Sequence, residues 1–211
     1  MTCDIIATGS KGNAILLNKT ILLDCGVPFS KLKDVCKGLQ VVFATHLHGD
    51  HLNPSTIKRL HRERPSLRFA CGPWMVSPLL EIGIPARQID FFDPDEWMEY
   101  RNGFKVRCVP IPHDVPNCAW DIEIDGETVF YATDCGSLEG VEAKNRDLYL
   151  VEGNYVEEEL RERILEKTER GEFVYETRVA NSHLSVEQAK AFLANNAGQK
   201  SRYLLVHKHE A

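Results

Sequence analysis

The 211-residue sequence contains no apolar run approaching the roughly 18 residues that a membrane-spanning helix needs. It also lacks any Cys-x-x-Cys pair. Its seven cysteines, Cys3, Cys25, Cys36, Cys71, Cys108, Cys118 and Cys135, are odd in number and widely spaced, which excludes a zinc knuckle, a dithiol redox motif and a fully paired disulfide framework. Most of them are expected to serve as small buried hydrophobes in a reducing cytoplasm. The opening Met1-Thr2-Cys3-Asp4 lacks the basic and apolar regions of a signal peptide, so the expectation is a soluble, cytoplasmic protein with no membrane partner. No repeat, linker or low-complexity tract is present. Nor is there an excess of positive charge: the net charge is −6 and the isoelectric point about 5.8. That balance disfavours a long basic groove gripping duplex nucleic acid, although a bound metal pair would add positive charge where a phosphate sits. What is present is core material: with 43% hydrophobic side chains, residues 1–211 suit one domain that needs no disulfides.

Along the chain, short apolar runs broken by turn residues predict strands at Cys3–Thr8, Ala14–Asn18, Thr20–Asp24 and Val41–Thr45. Helical patterning is expected at Pro28–Leu39, Pro54–Arg64 and Trp74–Ile82, with a strand at Leu67–Cys71. Strands return at Glu96–Tyr100, Phe104–Val109, Ala119–Ile124 and Thr128–Ala132, around turns at Arg101-Asn102-Gly103 and Asp125-Gly126. Leu148–Val151 and Arg202–Val206 read as strands, Val156–Arg170 as a charged helix, and Ser185–Asn195 as a helix capped by Ser185. Two successive blocks of strands followed by helices predict an α/β protein with two mixed sheets packed face to face and helices outside.

The informative segment is Thr45-His46-Leu47-His48-Gly49-Asp50-His51, where a strand delivers three histidines and an aspartate within six residues. Imidazole and carboxylate suit zinc and similar divalent ions. His46 and His48 can face one ion while Asp50 and His51 turn toward another, with Gly49 expected to let the backbone bend between them. His113, Asp134 and His207 each follow the end of an apolar strand, where rigid elements present side chains on accessible loops. Any one of them alone would be an ordinary loop residue; beside the first cluster they become candidate ligands. The basic run Lys58, Arg59, Arg62, Arg64 and Arg68 could steer a phosphate, or simply form a solvated helix face. Trp74, Trp97 and Trp120 show no stacking pattern.

These residues resemble the metallo-β-lactamase superfamily, whose pattern is His-x-His-x-Asp-His followed by a distant His, an Asp and a His. The resemblance spans nearly the whole chain, including the Gly9-Ser10-Lys11-Gly12-Asn13 turn and the Leu22-Leu23-Asp24-Cys25-Gly26 strand end. It implies an αββα sandwich and a binuclear centre. One divalent ion would take His46, His48 and His113, the other Asp50, His51 and His207, with Asp134 bridging both and Asp24 steadying the ligand loop. Zinc is the expected occupant and manganese the alternative. Pro110-Ile111-Pro112-His113-Asp114 differs from the third-ligand motif of glyoxalase II and lactonases, and flavodiiron proteins carry glutamate where His48 stands.

The match that remains is to phosphodiesterases related to tRNase Z and to short bacterial and phage exonuclease-like proteins. Asn181-Ser182-His183-Leu184-Ser185 is similar to the histidine-bearing segment of that branch, which implies acid catalysis by His183, with Asp50 the other catalytic residue. The alternative for His183 is part of the cap ahead of the following helix. Glu152 resembles the glutamate of the branch's His-Glu-Ala-Thr motif, but Val151 replaces its histidine; with no long glycine- and proline-rich arm, tRNA processing is disfavoured. The implied activity is hydrolysis of a nucleotide-containing phosphodiester with a small footprint on the protein. Cyclic-nucleotide hydrolysis of the phage anti-defence (anti-Pycsar) type is the rival activity, and a catalytically silent, metal-stabilised binding protein is the rival from another class. A homodimer is compatible with the resemblance.

Overall fold

The computed structural model describes residues 1–100 and 103–208, so Arg101 and Asn102 of the expected turn lie outside the described residues. The chain forms two units, Met1–Cys108 and Val109–Ala211. In the first, β1 (Cys3–Ala7), β2 (Ala14–Leu17) and β3 (Ile21–Leu23) pair antiparallel. Asn18 and Lys19, with φ of 46° and 60°, give the three-residue β2–β3 connection two left-handed residues, and the Thr20 N–H closes it on the Leu17 carbonyl at 3.0 Å. β4 (Val41–Ala44), β5 (Arg68–Cys71) and β6 (Ile89–Phe91) continue the sheet in parallel, giving the order β1-β2-β3-β4-β5-β6. Every residue of β2, β3 and β4 is buried, as expected of continuous apolar strands without polar alternation.

Helix α1 (Pro54–Glu63) starts where Asn53 caps the Thr56 N–H at 3.1 Å and Pro54 occupies the first turn. It buries Ile57 and Leu60 and leaves Lys58, Arg59 and Arg62 exposed. Helix α2 (Val76–Ile82) ends at Gly83 in the left-handed conformation, φ 100°. Both helices pack on a core that includes Leu22, Val42, Phe69, Met75 and Leu79. The helix expected at Pro28–Leu39 is instead two short 3₁₀ segments, Phe29–Lys31 and Cys36–Gly38. Lys33 and Lys37, like charges four residues apart, oppose a regular helix, and a segment this short lacks the length to sustain one unaided.

β7 (Trp97–Tyr100) and β8 (Phe104–Ile111) form an antiparallel hairpin, and β8 continues into the second unit. There β9 (Asn117–Ile124) and β10 (Glu127–Ala132) pair antiparallel through the turn at Asp125 and Gly126, with φ of 53° and 79°. β11 (Leu148–Glu152) and β12 (Arg202–Val206) are parallel to β10, and the strand order is β12-β11-β10-β9-β8-β7. Both sheets are therefore mixed, as the sequence predicts. Helices α3 (Glu157–Glu169), α4 (Glu176–Ser182) and α5 (Val186–Asn196) follow β11. α5 packs Ala189, Phe192 and Leu193 against Phe130, Tyr149 and Val151, with Phe192 stacked on Phe130 at 5.4 Å. All seven cysteines are thiols outside any disulfide, and all but Cys3 are buried. Burial pushes the Cys71 thiol up to about 12, so it is a core hydrophobe and not a nucleophile. No helix among the described residues is long and apolar enough to cross a membrane.

Candidate functional site

In the first unit the parallel pair β3 and β4 ends in register, Leu23 opposite Phe43, so Asp24 and Thr45 leave the sheet side by side. Asp24 turns into the left-handed region, φ 57°, a conformation aspartate tolerates better than most residues. Its buried carboxylate accepts the Thr45 N–H at 2.9 Å, the Thr45 hydroxyl at 2.9 and 3.1 Å, and the His51 Nδ1–H at 2.8 Å. Having donated its only proton to Asp24, the Thr45 hydroxyl must accept from His46 Nδ1, 2.9 Å away. Both imidazoles are thereby held with the proton on Nδ1 and the lone pair on Nε2. Asn13 Nδ2 lies 2.9 Å from His51 Nε2, a donor facing that lone pair. The three rings converge: the His46 centroid is 4.8 Å from His48 and 4.3 Å from His51. Asp50 Oδ2 is 3.5 Å from His51 Nε2.

The ligand loop is fastened through its backbone. Asp50 O accepts from Asn13 N at 2.7 Å, His51 O from Cys25 N at 2.8 Å, and Cys25 O from Asn53 N at 2.8 Å. Gly26 makes this closeness possible, because a Cβ there would lie 1.7 Å from Asp50 O and 2.6 Å from His51 N. Gly49, in contrast, has nothing within 4 Å of its Cβ position and no positive φ. The chain does turn at Gly49, where the His51 N–H donates to the His48 carbonyl at 2.9 Å, but a side chain would be tolerated there; the position that only glycine can fill is Gly26.

In the second unit the parallel register does the gathering. Ala132 lies opposite Val151, Val151 opposite Leu205, and Glu152 opposite Val206, so Asp134, Glu152 and His207 emerge together at the strand ends. Asp134 and His207 both adopt left-handed backbone, φ 53° and 52°, a strained conformation for a non-glycine residue. Asn117 holds the Asp134 turn by donating to the Thr133 and Asp134 carbonyls at 3.0 and 2.7 Å, and Asn154 donates to the His207 carbonyl at 3.0 Å. Asp134 Oδ1 accepts from the Thr133 hydroxyl at 2.8 Å and lies 3.1 Å from His207 Nδ1. His113, beyond the end of β8, donates from Nδ1 to the Ser182 carbonyl at 2.9 Å, which again leaves Nε2 with the lone pair. Asp134 Oδ2 lies 3.9 Å from that nitrogen. Burial holds the His113 pKa below the usual imidazole range against the opposing pull of Asp134.

His183 follows α4 directly, and the cap of α5 is made without it. Ser185 Oγ accepts from Gln188 N at 3.0 Å while Gln188 Oε1 accepts from Ser185 N at 2.9 Å. The His183 ring instead bonds Glu152, Nδ1 to Oε1 at 2.6 Å, and stacks 5.5 Å from His207. Glu152 is fully buried, and its other oxygen accepts from Cys135 N at 3.0 Å and Leu184 N at 3.2 Å. Burial, reinforced by Asp134 and opposed by the bond from His183, raises the Glu152 pKa to about 7.

Of the candidates from the sequence, the first unit brings together His46, His48, Asp50 and His51, and the second His113, Asp134, His207 and His183. The donor set fits a divalent ion of the zinc type. His46, His51 and His113 are tautomer-locked through Nδ1, the outer arrangement that orients ligating imidazoles, and all seven candidate ligands fall in His/Asp groups able to hold a metal. Thr45, Asn13, Asn117 and the Ser182 carbonyl were not assigned roles from the sequence. Thr45 adjoins His46 and Asn13 sits in the opening turn, but only the fold makes them partners of the ligand loop.

Residues 19–208 match the family described as the Beta-lactamase superfamily domain. No curated protein matches significantly by sequence. Among solved structures, the chain is similar to the metallo-beta-lactamase fold protein YhfI from Bacillus subtilis, with a TM-score of 0.72 at 19% identity over 99% of this chain and 86% of that one. It is also similar to the short form of human tRNase Z, with a TM-score of 0.72 at 15% identity over 100% and 93%. A third similar structure is Zn²⁺-bound PqqB from Methylobacterium extorquens, with a TM-score of 0.67 at 14% identity over 99% and 89%. With a family match over 19–208, two mixed sheets and a histidine- and aspartate-rich cluster at the strand ends of each unit, the chain belongs to the beta-lactamase superfamily and has the metallo-β-lactamase fold.

Proposed function

We propose that the protein is a binuclear metal-dependent hydrolase that cleaves a nucleotide-containing phosphodiester. The observation that carries this reading is the pair of buried Glu152 and partly exposed His183 set against Asp134 and His207, whose ligand-type atoms all lie within 4.8 Å of one another. In this reading His46, His48 and His113 hold one ion and Asp50, His51 and His207 the other, with Asp134 shared, the set that family membership implies. Two divalent ions, zinc by preference, would supply the activated water and polarise the phosphoryl oxygens.

The chain's own residues do the rest. Asp24 and Thr45 fix the tautomers of His51 and His46, and the Ser182 carbonyl fixes that of His113. Glu152, accepting from His183 Nδ1, leaves Nε2 of His183 as the nitrogen that carries or releases the working proton. A protonated His183 would pass that proton to the departing oxygen. An alkoxide needs such an acid, whereas an aryloxide leaves well without one. Similarity to a structure of human tRNase Z supports a phosphodiester substrate. The departure at Val151 argues for a substrate other than tRNA.

The test is multiple-turnover hydrolysis by metal-loaded protein across bis(p-nitrophenyl) phosphate, a linear oligonucleotide, a duplex and 3′,5′-cyclic nucleotides. Turnover of the linear substrates supports the reading, and turnover of cyclic nucleotides alone would replace it with the signalling-phosphodiesterase alternative. No turnover of any phosphodiester, with metal bound, would make the protein a metal-stabilised binding protein.

A further inference from the structure

One large aliphatic side chain of the ligand loop faces outward. Leu47, between His46 and His48, is 41% exposed. It forms one wall of a groove of about 450 Å³ whose other walls are Leu52, Pro54, Pro78 and Ile82, with Lys58 at the edge. That volume is in the range of small-molecule sites, roughly 300–1,000 Å³. The proline rings and aliphatic side chains give flat, apolar surfaces suited to a planar ring. Pro54 opens α1, so the positive end of a helix dipole borders the groove as well.

The charges select the occupant. In the basic run that follows the ligand loop, Arg59 pairs with Glu63 at 2.8 Å and lies over Phe29, Arg68 pairs with Asp90, and Arg64 donates to the Leu39 carbonyl at 3.1 Å. Those three are structural. Neither Lys58 nor Arg62 has an ion-pair partner among the described residues, and of the two it is Lys58 that lines the groove. Glu81, held by Ser77 at 3.3 Å, lines it too and can accept from an exocyclic amino group.

We propose that this groove is the subsite for the nucleoside next to the scissile phosphate, its base lying against Leu47 and Ile82 and the next phosphate along the strand paired with Lys58. The proposal rests on the phosphodiesterase reading above and deepens it. It makes the preferred substrate a linear strand carrying a second phosphate, which a cyclic mononucleotide lacks.

The test is binding of 2′-deoxycytidine 3′,5′-bisphosphate, which carries an exocyclic amino group for Glu81 and contains no phosphodiester to cleave, to the metal-loaded full chain by calorimetry over a salt series. Lys58→Gln is expected to weaken binding by about three- to tenfold, as one exposed charge-assisted contact should. It should also flatten the fall of binding with added salt, because one screened charge contact is lost, and Lys58→Arg should recover most of both. Methyl resonances of Leu47 and Ile82 should shift on binding. Equal affinities and equal salt slopes for the parent and Lys58→Gln, or shifts elsewhere in the protein, would overturn the proposal. Hydrolysis of bis(p-nitrophenyl) phosphate judges the underlying reading separately. If that ester is cleaved while binding ignores Lys58, only the subsite falls; if binding needs Lys58 but no phosphodiester is cleaved, the phosphodiesterase reading falls and the groove is a nucleotide-binding site without a scissile phosphate beside it.

Discussion

Replacing Asp24 separates ligand positioning from folding, because alanine and asparagine remove different parts of what the carboxylate does. In Asp24→Ala, three buried donors, the Thr45 N–H, the Thr45 hydroxyl and the His51 Nδ1–H, lose their acceptor. At about 1–3 kcal/mol for each unsatisfied group, plus about 1 kcal/mol for placing alanine in the left-handed region, the loss is about 4 kcal/mol or more. For a chain of this size that lowers Tm by about 8–16 °C. Asp24→Asn keeps the backbone conformation, and its carbonyl oxygen still serves Thr45, but its amide presents an N–H where His51 Nδ1–H now points. His51 must move its proton to Nε2, and the lone pair meant for the metal is lost. The stability cost should be small, about 1 kcal/mol, while metal affinity falls about 10–100-fold, the usual cost of losing a partner behind a ligating histidine. Competition against a chromophoric chelator measures the affinity, calorimetry the Tm, and the ¹⁵N shifts of the ring the tautomer. An Asp24→Asn protein with parental metal affinity, its proton still on Nδ1, would refute the argument.

Other perturbations have equally definite outcomes. His183→Ala should keep its metal content while losing about 10²–10⁴-fold in rate on a nucleotide substrate, and less on bis(p-nitrophenyl) phosphate; equal losses on both would mean that His183 only positions the substrate. Glu152→Gln places an amide N–H against His183 Nδ1 and should lower kcat on nucleotides in the same way, with metal content again unchanged. In metal-free protein the Glu152 carboxyl, raised from 4.5 to about 7, holds its proton longer in the folded state. Stability from this group is therefore full below about pH 4.5 and falls as pH rises toward 7, a slope that denaturant titrations should find flattened in Glu152→Gln. Gly26→Ala forces a Cβ to within 1.7 Å of Asp50 O and should destabilise by about 1–3 kcal/mol or more with loss of metal, whereas Gly49→Ala should change Tm by only a few degrees.

The candidate ligands were easier to pick out of the sequence than some of the elements around them. Ligand-type residues announce themselves by type and by place: His46, Asp134 and His207 each follow an apolar run that becomes a buried strand. The two glycine-or-asparagine turns, at Asn18-Lys19 and Asp125-Gly126, were equally readable because their left-handed residues have few substitutes. β6 was missed because three residues, Ile89–Phe91, are too few to show alternation. α4 was missed because its anchoring is polar, with buried Glu176 held by Lys167 at 2.5 Å, and so it leaves no apolar period to detect. Gly26 was passed over for Gly49 because sequence shows which glycine lies between ligands, not which one has a carbonyl pressed against it. The Glu152–His183 bond joins positions 31 residues apart, and no local pattern links them.

The most direct test of the two-metal hydrolase is a zinc titration of chelator-stripped protein, followed at once by binding stoichiometry and by hydrolysis of bis(p-nitrophenyl) phosphate. Activity should rise with added metal and level off at about two equivalents per chain, and His46→Ala should stop near one equivalent with hydrolysis largely abolished, because one ion cannot both activate water and clamp the phosphate. Full activity in stripped protein, or a plateau at two equivalents with no hydrolysis of any phosphodiester, would contradict the account.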